Sequence, residues 1–147
     1  MMVALEEAKL AAKQDEVPVG AVLVDVLKSK IVAKAGNRVK EDNNPIAHAE
    51  LLVLQMANVT HLFNMDLYVT LEPCTMCAAA LSLARVRRIY FGAYDPKAGA
   101  IEHGVRFFDQ PSCHHKPEIY GGIYESEAKK LLKSFFLNKR NKVQGFY

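Results

Sequence analysis

The chain has 147 residues, half of them hydrophobic and 24% charged, with a formal net charge of +3. A chain of that size buries about two-thirds of its unfolded surface, so a single domain spanning residues 1–147 is expected and no staple is needed to hold its core. No apolar run is long enough to cross a bilayer, which argues against a membrane partner, and so small a positive charge does not by itself argue for nucleic-acid binding. The three cysteines are an odd number, and two stand in a C-x-x-C. Met1 to Leu10 carries Glu6 and Glu7 in an apolar-periodic stretch and reads as an amphipathic helix, not as a signal peptide. Metal or redox use of the thiols, in a reducing cytoplasmic setting, therefore outweighs a disulfide framework.

The elements alternate along the chain. Val3 to Lys13 has helical apolar spacing. Ala21 to Leu27 and Ile31 to Ala35 are apolar runs around a polar turn at Lys28 to Lys30, and together predict a hairpin. Gly36 to Pro45 is a polar loop with three asparagines. Ala47 to Ala57 predicts a helix, Leu67 to Thr70 a buried strand, Pro73 to Ala84 a helix and Arg88 to Ala93 a strand. Tyr94 to Lys116 is long and irregular, and loops of that length tend to be functional. Ile119 to Ile123 predicts a short fifth strand and Glu125 to Arg140 an amphipathic helix. An opening hairpin followed by alternating strands and helices gives an α/β fold: a three-layer α-β-α sandwich around a mixed sheet of about five strands. The crossover rule sets the helices at 47–57 and 73–84 side by side on one face.

Those two helices begin at the two halves of a split cluster, His48-Ala49-Glu50 and Pro73-Cys74-Thr75-Met76-Cys77. One imidazole and two thiols are zinc ligands, and three protein ligands leave the open corner that distinguishes a catalytic site from a structural one. Cys74 and Cys77 share a helix face. The positive helix N-terminus favours their thiolates. Pro73 suits a first helical turn. Glu50, two residues from His48, can move protons to and from water activated there. A redox dithiol would normally follow the first strand of its unit, and here the C-x-x-C follows the third. A closed structural zinc would need a fourth ligand, and no second C-x-x-C exists.

The H-A-E…P-C-x-x-C pattern resembles the cytidine-deaminase-like superfamily. The likeness to its tRNA-specific adenosine deaminases extends over nearly the whole chain. It includes Glu16 to Val24, Asn37-Arg38, Pro45 to Glu50, Leu67 to Cys74, and Phe91-Gly92-Ala93 with Asp95, Lys97, Gly99 and Ala100. Gly121-Gly122-Ile123, Leu131-Leu132 and Phe135-Phe136 complete it. The resemblance implies one zinc per subunit on His48, Cys74 and Cys77, with Glu50 as the catalytic proton shuttle. It implies that Asn37 contacts a flipped nucleoside, that backbone groups of Ala49 and Glu72 lie near the base, and that Asp95 and Lys97 sit in a loop meeting the RNA. The implied reaction is hydrolytic deamination of adenosine to inosine at the wobble position of a tRNA anticodon stem-loop, by a homodimer. One departure is Tyr94, where other members often have a basic residue.

Phe136, Lys139, Arg140 and Lys142 could stack on a base and track phosphates, or could simply form a solvated helix end. One of Phe135 and Phe136 is expected in the core and the other in a groove. Arg85, Arg87 and Arg88 form a second basic group. Cys113, His114 and His115 read as solvated loop residues, and His61 and His103 have no partner pattern. Rival functions are a deaminase acting on a free guanine- or cytosine-type base or nucleotide, and a non-catalytic RNA-binding subunit with structural zinc. The loop from Asp95 to Ala100 and the basic C-terminal helix argue against the first rival, and Glu50 against the second. A deaminase domain of riboflavin synthesis would space its cysteines more widely.

Overall fold

Residues 1–144 are described in a computed structural model. The opening hairpin pairs β1 (Gly20–Asp25) with β2 (Lys30–Gly36) in antiparallel register, Gly20 opposite Gly36, with an irregularity between Leu23 and Val24. The other edge of β1 pairs antiparallel with β3 (Met65–Leu71). β3 then runs parallel to β4 (Arg88–Ala93), which runs parallel to β5 (Glu118–Tyr120). The sheet is mixed and five-stranded, in the order β2-β1-β3-β4-β5.

Helices α1 (Met2–Lys13) and α4 (Glu125–Gln144) touch each other and form one layer, while α2 (Ala49–Ala57) and α3 (Thr75–Leu83) touch each other and form the second. Both layers follow from side-chain alternation in the strands. Leu23, Leu67, Val69, Ile89 and Phe91 join Val53, Ala78 and Leu81 in the main core. A smaller cluster of Leu5, Ala93 and Ala128 binds α1 and α4 to the strand ends. Gly20 lets α1 lie directly on β1: a Cβ there would stand 2.0 Å from the Ala4 carbonyl oxygen.

Several boundaries differ from the sequence expectation. The third helix starts at Thr75, leaving Pro73 before it and Cys74 as its N-cap. The fifth strand ends at Tyr120, because Gly121 and Gly122 turn the chain toward α4. α4 continues past Arg140 to Gln144. Neither Phe135 nor Phe136 enters the core; both line an open cleft, since α4 overhangs the sheet end there. Two of the three arginines in the second basic group are engaged in ion pairs. Arg87 binds both carboxylate oxygens of Asp66 at 2.7 Å, tying the start of β4 to β3, and Arg88 binds Glu118 at 2.8 Å.

Candidate active site

His48 and Cys74 are each the N-cap of their helix, with extended backbone (φ −78°, ψ 147° and φ −72°, ψ 174°). Neither side chain caps its own helix. Both are therefore free to turn toward the shared N-terminal end of the α2–α3 layer. His48 Nδ1 lies 3.7 Å from Cys74 Sγ and 3.6 Å from Cys77 Sγ, and the three ligand atoms are all within 4.8 Å of one another. Tetrahedral zinc with ordinary Zn–N and Zn–S bonds separates an imidazole nitrogen from a thiolate by about 3.6 Å. The donor set fits that ion in type, number and spacing.

The protonation pattern suits the same role. The neighbouring Cys77 thiol, and after it the His48 ring, hold the Cys74 thiol down to about 4 against the opposing effect of burial. Cys77, the more buried of the two, is pushed up by its Cys74 neighbour and by burial. The hydrogen bond with Cys74 also raises His48. The pair thus shares a proton that a bound dication would displace. Glu50 is buried, at 4% exposure, and burial raises its carboxyl to about 7, with the Cys74 charge adding to the rise.

His48, Glu50 and Cys74 form the base of a cleft of about 520 Å³ whose walls include Asn37, Glu72 and Asp95. The buried Asn37 accepts the Ala49 N–H on its Oδ1 at 2.9 Å, fixing the loop after β2 to the start of α2. Glu72 is buried as well. Its carboxylate accepts the N–H groups of Asp95, Ile101, Glu102 and His103 at 2.7–3.2 Å, and His103 Nδ1 lies 2.9 Å from its Oε2. Burial alone would raise this carboxyl, but the converging donors outweigh it and the pKa is lowered. Glu72 thereby organises the long loop after β4. Asp95 continues the arrangement by accepting the N–H groups of Lys97 and Ala98 in an Asx turn. Lys97 lines an adjoining hollow with Tyr94, Leu132 and Phe136.

Phe136 and Lys139 reach the cleft wall, whereas Arg140 and Lys142 are exposed beyond it. Two expectations are corrected. His103 has a partner, Glu72. Cys113 and His115 are half-buried: the His115 ring bonds the Val86 carbonyl at 2.7 Å, and Ser82 donates to the His115 carbonyl at 2.7 Å. They clip the long loop to the end of α3. Sequence reasoning also missed Glu16, Asp15 and Lys40. The buried Glu16 accepts the N–H groups of Lys40 and Glu41 at 2.7 and 2.9 Å. A carboxylate directly before the apolar run at Val17 was the available signal for it.

The family profile described as "Cytidine and deoxycytidylate deaminase zinc-binding region" matches residues 1–93. A tRNA-specific adenosine deaminase of Agrobacterium fabrum is 56% identical over 144 residues, covering 95% of this chain and 93% of its own. One from Bacillus subtilis is 40% identical, covering 99% and 91%. A solved structure from a study of A-to-I editing by tRNA:A34 deaminases at the wobble position superposes with a TM-score of 0.87 at 55% identity, covering 90% of this chain and 97% of that one. A guanine deaminase from Nitrosomonas europaea shares the fold at a TM-score of 0.72 and 20% identity. The chain belongs to the cytidine and deoxycytidylate deaminase zinc-binding family, among its tRNA-specific adenosine deaminases.

Proposed function

We propose that the protein hydrolyses adenosine to inosine and ammonia at the wobble position of a tRNA anticodon, acting as a single zinc-dependent deaminase domain over residues 1–147. The observation that carries this reading is a buried carboxyl, Glu50, in the same cleft as a His48, Cys74 and Cys77 donor set spaced for zinc. Zinc on His48, Cys74 and Cys77 would supply Lewis acidity that lowers the pKa of water at this site. Glu50 takes the proton from that water as its oxygen adds to C6 of adenine. Glu50 passes that proton to the ring nitrogen, then takes the second one from the hydroxyl now on C6 and hands it to the amino group as the C6–N bond breaks and ammonia leaves. A carboxyl shielded from bulk water beside the reacting atoms is suited to both directions of transfer.

Asn37 spends its amide oxygen on Ala49, which leaves its NH₂ for the nucleoside. The same bond occupies the Ala49 N–H, so Ala49 and Glu72 meet the base through other backbone groups. Asp95 and Lys97 present the loop that meets the RNA. Phe136, half exposed, stacks on a splayed base while Lys139, Arg140 and Lys142 face phosphates. Anticodon-loop bases are unpaired, so extruding the target adenosine costs little.

The enzyme works as a homodimer in the cytoplasm. Exposed Met56 on α2 and Leu83 on α3, the latter 80% exposed, support a covered apolar face there. Three unpaired cysteines fit a reducing compartment. No described helix is long and apolar enough to cross a membrane.

The test is incubation of zinc-loaded protein with an anticodon stem-loop carrying a wobble adenosine, and separately with free adenosine, cytidine and guanine, followed by nucleoside mass spectrometry. Inosine in the stem-loop with free compounds unchanged is the expected result. Ammonia from guanine or cytidine alone would replace this reading with a free-base or nucleoside deaminase.

A further inference from the structure

Three segments distant in sequence meet on one carboxylate oxygen at the rim of the cleft. Lys40 Nζ, from the loop after β2, is 2.6 Å from Asp15 Oδ2. Lys139 Nζ, from α4, donates to the same oxygen. All three residues line the cleft that holds His48 and Glu50. Asp15 sits in the turn after α1 with φ +62°, a left-handed conformation that Asp tolerates better than most residues. The buried Glu16 beside it pins the backbone of Lys40. Lys139 also lies 5.5 Å over the Phe135 ring, so α4 approaches the rim along its aromatic face.

We propose that Asp15 is an internal stand-in for an RNA phosphate. It holds the Lys40 and Lys139 ammonium groups together across the cleft until the backbone of the bound strand takes them over, and so favours a polyanionic substrate over a free nucleoside. This rests on the RNA reading above.

Two ammonium groups drawn this close repel unless an anion lies between them, and here the chain supplies that anion. The Asp15 carboxyl is held down to about 2 by its hydrogen bonds to Lys139 and Lys40, so the anion is present throughout the physiological range. A phosphodiester carries the same charge on two free oxygens, and lysine binds it as a point charge. The exchange conserves the number of ion pairs and returns Asp15 to water. Asp15 is half exposed already, so its release costs little, and such pairs are weakened by salt. A free nucleoside has no phosphate to offer and leaves the clasp closed.

The test measures binding of the anticodon stem-loop, and its kcat and KM, over a range of salt. Asp15→Asn is expected to bind several-fold tighter at low salt. KM should fall while kcat stays level, and the slope of log affinity against log salt should steepen by about one unit for the single negative charge removed. In Lys139→Gln, adding Asp15→Asn should recover only the part of that gain that comes from Lys40. Asp109→Asn is the charge control, because Asp109 also bridges two cations, Lys116 and Arg106, without lining the cleft. Weaker binding in Asp15→Asn, an unchanged slope, or a gain no larger than that of Asp109→Asn would overturn the proposal. Wild-type protein that makes no inosine in the stem-loop would overturn the substrate reading and this one together.

Discussion

Glu50 and Glu72 are both buried, both line the same cleft, and are displaced in opposite directions. Burial raises either carboxyl by penalising its charged form. At Glu50 that effect wins, because little besides its own backbone group donates to it. At Glu72 four backbone N–H groups and His103 converge on the charge, and the donors win. Depth therefore does not decide what a carboxylate can do. The number of donors aimed at it does: the sparsely served group is left able to exchange a proton, and the saturated one becomes a fixed anionic post for a loop.

The largest effect is expected from Glu50→Gln, which keeps the shape and removes the proton carrier. Turnover should fall by about 10³-fold or more, with zinc content and melting temperature little changed. Stem-loop kinetics with elemental analysis check this, and activity within tenfold of wild type would break the contrast on the Glu50 side. Glu72→Gln should act on stability instead. Losing a buried charge that several donors serve costs about 3 kcal/mol at neutral pH. The sign of its pH dependence follows from the lowered pKa of Glu72. Its contribution is fully present above the ordinary carboxylate range and is lost as pH falls through the lower folded value. Denaturant melts of the two proteins should therefore differ at neutral pH and converge only in acid, below about pH 4. A gap independent of pH would mean that packing, not charge, is what Glu72 supplies.

This contrast was only half legible in the sequence. Glu50 stands two residues from His48, so its neighbourhood is local and its role follows from the spacing. The approach of His48 to Cys74 and Cys77 was also readable, because each motif opens a helix and the crossover rule puts those helices together. Glu72 precedes Cys74 just as closely, yet what occupies its carboxylate comes from residues 95–103, in a loop without periodicity. No pattern marks backbone N–H groups that converge only after the chain turns back. His103 was opaque for the same reason, since its partner lies 31 positions away. Phe135 and Phe136 misled because adjacent aromatics on a helix usually split between core and solvent. Here α4 runs past the edge of the core, so both find the cleft.

Gly99 offers the smallest and sharpest test of the Glu72 side. A Cβ at this position would lie 2.5 Å from the Asp95 carbonyl oxygen, 2.5 Å from Glu72 Cδ and 2.7 Å from Glu72 Oε2. Gly99 N–H also bonds that Asp95 carbonyl, at 2.9 Å, so the clash falls where the loop closes on itself. Its backbone does not occupy the left-handed region, unlike Gly104 with φ +56°, so Gly99→Ala tests crowding without backbone strain. The loop can move where a lost charge could not be replaced, so the expected cost is about 1–2 kcal/mol, below that of Glu72→Gln. The displaced segment carries Asp95 and Lys97, whereas Glu50 sits on α2 and does not move with it. KM for the stem-loop should therefore rise several-fold while kcat falls less than twofold. A fall in kcat matching that of Glu50→Gln would show that the loop and the proton carrier are one unit, and would dissolve the distinction between the two carboxylates.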